Sequence, residues 1–252
     1  MDYSFDNLLY KYGSVSFYRD GEHVIEQFYD APLSEPLFEA YLHTFAYESG
    51  LSVPRIEEVF SHGENCYIVY ECPTVIKLSE LLTDGFTDEL LSRFVELQVK
   101  VHGKKAPKMH KLREKMHEKL GASPVHPTRR YELHNELDLL PKHNKLCHGS
   151  FLPENILVSE DGEMLITGWS GATQGNASAD ASYTYLNLCL KYGIETAERY
   201  LSMFCELSDI AREYVERWMP IVAATMLKDK DTEEAKLLNQ IIIKPKRRAK
   251  NV

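Results

Sequence analysis

The sequence predicts an α+β protein of two lobes: a small lobe with an antiparallel sheet and one helix, then a larger, mainly helical lobe. Three observations predict it. Alternating apolar stretches joined by hairpin signals crowd the first 72 residues. Helix-spaced segments with start and stop signals fill most of the remainder. One compact hairpin interrupts that helical part.

In the first lobe, SVSFYR and HVIEQFY alternate and are separated by Asp20 and Gly21, a strong hairpin signal. RIEEVF and CYIVYE form a second pair around Ser61 to Asn65. Between the pairs lies a helix, with Ser34 as its N-cap, Pro36 in the first turn and Gly50 as its stop. Leu37, Phe38, Tyr41, Leu42 and Phe45 are its expected core face. The N-lobe is bounded at 1–72, a connector at 73–86, and the helical lobe at 87–252. The second lobe opens at Thr87, with a helix running to Gly103, and continues through KLREKMHEKL and RRYELHNELDLL. The inserted hairpin pairs Ile156–Val158 with Met164–Ile166 around Asp161 and Gly162. Helices then run over about 178–192, 195–206 and 209–227, the last kinked at Pro220.

With 44% hydrophobic and 27% charged residues, the 252-residue chain can build an ordinary globular core. The net charge of −9 argues against a nucleic-acid partner, because a phosphate backbone needs a basic face. The five cysteines are odd in number and lack C-x-x-C or zinc-type spacing, so they read as reduced, mostly buried thiols. The N-terminus has no basic start followed by an apolar run, and no stretch reaches membrane-spanning length. The expectation is a cytoplasmic protein with no membrane partner. The basic tail KPKRRAK reads as a solvated terminus.

The stretch LCHGSFLPENILV, within the region 146–170, carries the most specific signal. His-Gly-Ser-x-x-x-x-Asn is followed at once by the short hairpin, then by Ile166-Thr167-Gly168-Trp169, Gly175 and Asp180. This frame, with the lobe order, resembles the aminoglycoside phosphotransferase and choline kinase superfamily, whose members share the protein-kinase-like fold. That family's loop reads His-Gly-Asp-x-x-x-x-Asn and its later triplet Ile-Asp-Trp. The resemblance implies that His148 is a structural support and that Asp180 ties the catalytic loop to the following helix. It places Asn155 as a magnesium ligand. It places Ser150 where the family keeps its catalytic Asp, Gly168 where it keeps the second magnesium ligand, and Glu26 where it keeps the lysine that grips the nucleotide phosphates. Glu39 matches that lysine's acidic partner.

Each departure removes a distinct contribution. A serine hydroxyl is no general base near neutral pH, and losing a positioned base removes about 10²- to 10⁴-fold in rate. Magnesium prefers anionic oxygens, and Asn155 alone offers one neutral amide oxygen. A carboxylate at position 26 repels a polyphosphate, and no lysine lies between Tyr12 and Val75 to replace it. Asn155 also suits a bond to the loop backbone, Asp180 or Ser178 an N-cap, and Glu154 a solvent-facing loop. Trp169, Phe151 and Cys147 read as packing residues.

The expectation is therefore a degenerate member that acts as a binding or regulatory module, its partner an unknown small molecule or protein. No metal or nucleotide cofactor is expected. The alternative is an active ATP- and Mg2+-dependent small-molecule phosphotransferase in which Glu154, Asp161 or Glu163 serves the metal.

Overall fold

The computed structural model describes residues 3–72, 75–229 and 232–243. The basic tail lies outside the described residues. Strands β1 (Leu8–Tyr12), β2 (Val15–Asp20) and β3 (His23–Phe28) precede helix α1 (Ser34–Glu48). Strands β4 (Arg55–His62), β5 (Asn65–Glu71) and β6 (Val75–Lys77) follow. Then come α2 (Leu78–Leu81), α3 (Asp88–His102), α4 (Leu112–Gly121), α5 (Pro127–Leu139) and β7 (Lys145–Cys147). The hairpin strands are β8 (Ile156–Ser159) and β9 (Met164–Ile166), followed by β10 (Thr173–Gly175). Helices α6 (Ala177–Ser208), α7 (Arg212–Glu216), α8 (Met219–Met226) and α9 (Thr232–Ile243) follow as the last elements among the described residues.

The chain divides into two compact units, Met1–Asp84 with Leu152–Gly171, and Gly85–Phe151 with Ala172–Val252. The 156–166 hairpin, assigned from the sequence to the helical lobe, belongs to the strand-rich unit. The cause is pairing: β6 extends it into a three-stranded antiparallel sheet of order β6-β8-β9, with Ile76 opposite Val158.

The first unit's main sheet is antiparallel with order β1-β2-β3-β5-β4. Strand alternation sends Val24, Glu26 and Phe28 to one face and Ile25 and Gln27 to the other. Phe28 packs with Ala40 of α1, Ile68 and Tyr70. Ile25 packs with Tyr67 and Val69 under Tyr3, Tyr18 and Phe60. Glu26 therefore lies on the α1 side of the sheet, and Gln27 on the other, where it donates to the Tyr67 hydroxyl at 3.3 Å.

Helix α1 turns a different face inward than its large apolar residues suggest. Pro36, Ala40, Leu42, His43 and Ala46 are buried, while Leu37, Phe38 and Tyr41 are 49%, 39% and 46% exposed. The buried stripe is built mostly of small residues, with His43 Nε2 2.6 Å from the Pro54 carbonyl oxygen. Ser34 is the first helical residue and not the cap; Leu33 precedes it without a side-chain bond to the helix. Gly50, at φ +74°, follows the helix end in the left-handed conformation that glycine adopts at least cost.

In the second unit, Thr87 caps α3 by accepting from the Leu90 amide. The two helices expected over 178–206 form one element broken at Gly193, whose φ of 83° and ψ of 165° lie outside the helical region. The segment expected to kink at Pro220 is instead two helices, α7 and α8, with Pro220 in the first turn of α8, where its missing amide hydrogen costs nothing. Among the described residues, no helix is long and apolar enough to cross a membrane.

Candidate functional site

The strand-rich unit brings Glu26 and Glu39 together. Glu26 is 4% exposed, and Tyr70, diagonal to it across β3 and β5, donates its hydroxyl to Glu26 Oε2 at 2.6 Å. Burial pushes the Glu26 carboxyl well above its usual range; the Glu39 charge adds to this and the Tyr70 bond opposes it. Burial raises Glu39 to about 7. Burial also raises the Tyr10 phenol, and the charges of Glu26, Cys72 and Glu39 raise it further. Position 26 is thus held among weak acids that favour their protonated, neutral forms.

The same unit carries a lysine on β6. The Lys77 ammonium lies 3.2 Å from the centroid of the Tyr10 ring, which itself stacks on Phe17 with centroids 4.4 Å apart. Burial lowers the Lys77 ammonium, against the charges of Glu80 and Glu154. Glu154 is half-buried and acts on Lys77, so it is not the solvent-facing acid that its loop position suggests.

Asn155 and Gly168 are also brought together in this unit. The Asn155 carbonyl accepts from the Thr167 amide at 2.9 Å and from its hydroxyl at 3.2 Å. Gly168 has φ +75°, and a Cβ built there would lie 3.0 Å from both Cγ and Oδ1 of Asn155 and 3.3 Å from Nδ2. The Asn155 amide occupies the space into which a side chain at 168 would extend. Trp169 is fully buried, and its indole donates to the Ile166 carbonyl at 3.2 Å.

The helical unit holds His148, Ser150 and Asp180. Asp180 accepts from the His148 amide at 3.0 Å and the Gly149 amide at 2.7 Å. His102 Nε2 lies 3.0 Å from the same carboxylate, with the two side chains 3% and 1% exposed. Burial pushes the Asp180 carboxyl up, but the His102 bond, the His102 and His148 charges and the Gly149 amide outweigh it, so the carboxyl lies below its ordinary value. The N-cap of α6 is Asn176, which accepts from the Ser178 amide at 2.9 Å; neither Ser178 nor Asp180 has that place. The buried His148 accepts the Ser150 amide on Nδ1 at 3.2 Å. Thr184 donates to the Phe151 carbonyl at 2.9 Å and accepts from Gln98, which Tyr200 bonds in turn.

The sequence reading missed Tyr10, Tyr70, Lys77 and His102. His102 carried a signal: with Gln98 it lies on the buried stripe of α3, beside Phe94, Val95 and Val101. Polar residues on such a stripe need partners. Tyr70 and Lys77 carried none, because their contacts depend on strand pairing.

No protein-family model matches the sequence, and no curated protein matches it. Solved structures do. An aminoglycoside-3'-phosphotransferase of type VIII aligns over 89% of this chain and 93% of its own, with 14% identity and a TM-score of 0.64. The choline kinase LicA from Streptococcus pneumoniae aligns over 94% and 93%, with 12% identity and a TM-score of 0.64. The fold is that of the aminoglycoside phosphotransferases and choline kinases. The aminoglycoside phosphotransferase APH(4)-Ia is similar too, over 93% and 90%, with 13% identity and a TM-score of 0.66.

The resemblance noted in the sequence implies magnesium, with Asn155 as one of its ligands. Asn155 supplies one neutral oxygen, and its amide occupies the approach from position 168. Among the described residues, no group of three or more His, Cys, Asp or Glu side chains is placed to hold a metal ion.

Proposed function

We propose that this chain is an aminoglycoside-phosphotransferase-like pseudokinase, a binding or regulatory module that does not carry out metal-dependent phosphoryl transfer. The observation that carries the reading is the buried Glu26, facing Glu39 and closed by the Tyr70 hydroxyl. A phosphate-gripping site needs a fixed cation in that place. Here the surroundings favour neutral acids, and ionising them sets negative charge against negative charge in a poorly screened interior. Ser150 in place of a base and the crowded Gly168 support the same reading.

The alternative needs relocated acids to serve a metal. Asp161 is engaged in the hairpin turn, where Ser159 donates to Oδ1 and the Glu163 amide donates to the same oxygen at 3.3 Å. The Glu154 charge lies close enough to Lys77 to raise its ammonium.

Thermal unfolding with and without millimolar Mg-ATP tests the proposal. The expected outcome is a magnesium-dependent change in Tm of under about 1 °C. A ligand at a hundred times its Kd would add about 2.7 kcal/mol, so a rise of several degrees that requires magnesium overturns the reading. Turnover of ATP with amino- or hydroxyl-bearing acceptors, abolished by Asn155→Ala, would establish the alternative.

A further inference from the structure

Helices α4 and α5 form a hairpin in the helical unit and carry none of the candidate site residues described above. Arg113 donates to the Asp138 carbonyl at 2.9 Å, and Arg130 to the carbonyls of Gly121 and Ser123 at 3.4 and 3.0 Å. That register makes the helices antiparallel and puts His117 opposite His134 at mid-length. The two imidazoles are parallel within 2°, with centroids 5.0 Å apart, and their Nδ1 atoms are 2.7 Å apart.

Two nitrogens at that distance require one hydrogen between them. Asp138 Oδ1 lies 3.1 Å from His117 Nε2. A carboxylate only accepts, so that nitrogen carries a hydrogen. With His117 neutral, its Nδ1 is a lone pair that accepts from His134. With His117 charged, it donates from both nitrogens, and His134 accepts. With both rings charged, two N–H groups point at each other and the contact fails.

We propose that this pair is a proton-operated latch. The α4–α5 hairpin is shut while at most one of the two rings is charged, and it parts when both are. The charged groups around the pair are Asp138, which Arg113 also approaches at 3.6 Å, and Arg130. Helix α8 and strand β10, which pack on α4, bring no titratable side chain. Arg129, Glu132 and Glu136 bond among themselves. Burial, the His117 ring and Arg130 hold His134 below its ordinary value, against Asp138. A depressed histidine contributes stability above its unfolded value of about 6.5 and loses it as pH falls through the folded value. The latch therefore opens on the acid side of about pH 6.5.

Hydrogen exchange on the full chain tests this, with amide rates over 112–121 and 127–139 corrected for their intrinsic pH dependence. Between about pH 7.5 and 5.5, opening of the hairpin is expected to rise about tenfold more in the wild type than in His134→Gln. The amides of α3 and α6 serve as the reference. His117→Gln is the second variant and is expected to flatten the profile in the same way. Identical pH dependence in wild type and both variants overturns the latch. So does stoichiometric zinc uptake that holds the hairpin shut in acid and is lost in both variants, since the rings then clip a metal. Nitrogen-15 spectra showing one hydrogen shared between the two Nδ1 atoms support it.

Discussion

Replacing Glu39 by Gln is expected to stabilise the strand-rich unit, and only on the alkaline side. Glu39 is raised by burial from 4.5 to about 7. A carboxyl whose folded value is raised contributes its full stability below the unfolded value and loses it as pH rises through the folded one. The loss thus begins near pH 4.5 and is complete somewhat above 7. The displacement corresponds to about 3 kcal/mol. An amide cannot ionise, so Glu39→Gln escapes that loss. Wild type and variant should lie within about 1 kcal/mol of each other at pH 5 and diverge by up to about 3 kcal/mol at pH 8.5. For a chain of this size that is roughly 6–12 °C in Tm. Urea unfolding in a Trp218→Phe background isolates the first unit, because Trp169 then provides the only indole signal. Parallel stability profiles for variant and wild type from pH 5 to 8.5 would refute the reasoning, because Glu39 would then ionise in contact with water. Glu26→Gln separates the causes. Since burial alone raises Glu39, its transition near pH 7 should persist when Glu26 is neutralised.

Two further variants probe the retained frame. Asp180→Asn should destabilise the helical unit by about 3–5 kcal/mol in urea, because the His148 and Gly149 amides and His102 lose a buried acceptor. The wild type's share of that stability should fade in acid, as pH drops below about 3.8 through the depressed value of Asp180, while Asp180→Asn shows no such loss. Gly168→Ala should cost about 1–3 kcal/mol, since alanine at φ +75° is strained and its Cβ meets the Asn155 amide. Asn155→Ser should recover part of that cost, measured by the same denaturation.

The sequence made the hairpins legible because their turns are local. Asp20-Gly21 and Asp161-Gly162 put glycine at φ +58° and +84°, which few other residues accept. The α3 start was legible from Thr87, a side chain acting on the amide three residues ahead. Strand β6 was not, because three residues gain their identity from pairing with β8, far along the chain. The face of α1 was misjudged because the weighing favoured large apolar side chains, whereas Ala40, Ala46 and His43 are buried. At the site, the sequence shows a carboxylate on β3 at position 26. Its consequence was not legible: the Tyr70 hydroxyl, the Tyr10 ring and Lys77 reach their places through cross-strand geometry.

Under the proposed reading, Glu26 and Gly168 stand in place of a lysine and a carboxylate, and the surroundings of each bear on whether restoring those groups could restore phosphoryl transfer. At 26, burial and the Tyr70 bond suit a protonated carboxyl. A lysine placed there would be drawn to Glu39 and would leave the Tyr70 hydroxyl without the carboxylate oxygen it donates to. At 168, a carboxylate would start 3.0 Å from the Asn155 side chain. Asp tolerates positive φ better than most residues, so the obstacle is the neighbour and not the backbone. The Asn155 side chain would have to give by a few tenths of an ångström, and under the proposed reading its amide oxygen is the ligand a carboxylate at 168 would need beside it. Each reversion therefore alters the contacts of a neighbour, Tyr70 at 26 and Asn155 at 168. Under the proposed reading, single reversions at Glu26, Ser150 or Gly168 leave the chain without magnesium-dependent nucleotide binding, and the smallest set worth constructing joins all three with a change at Tyr70 while keeping Asn155.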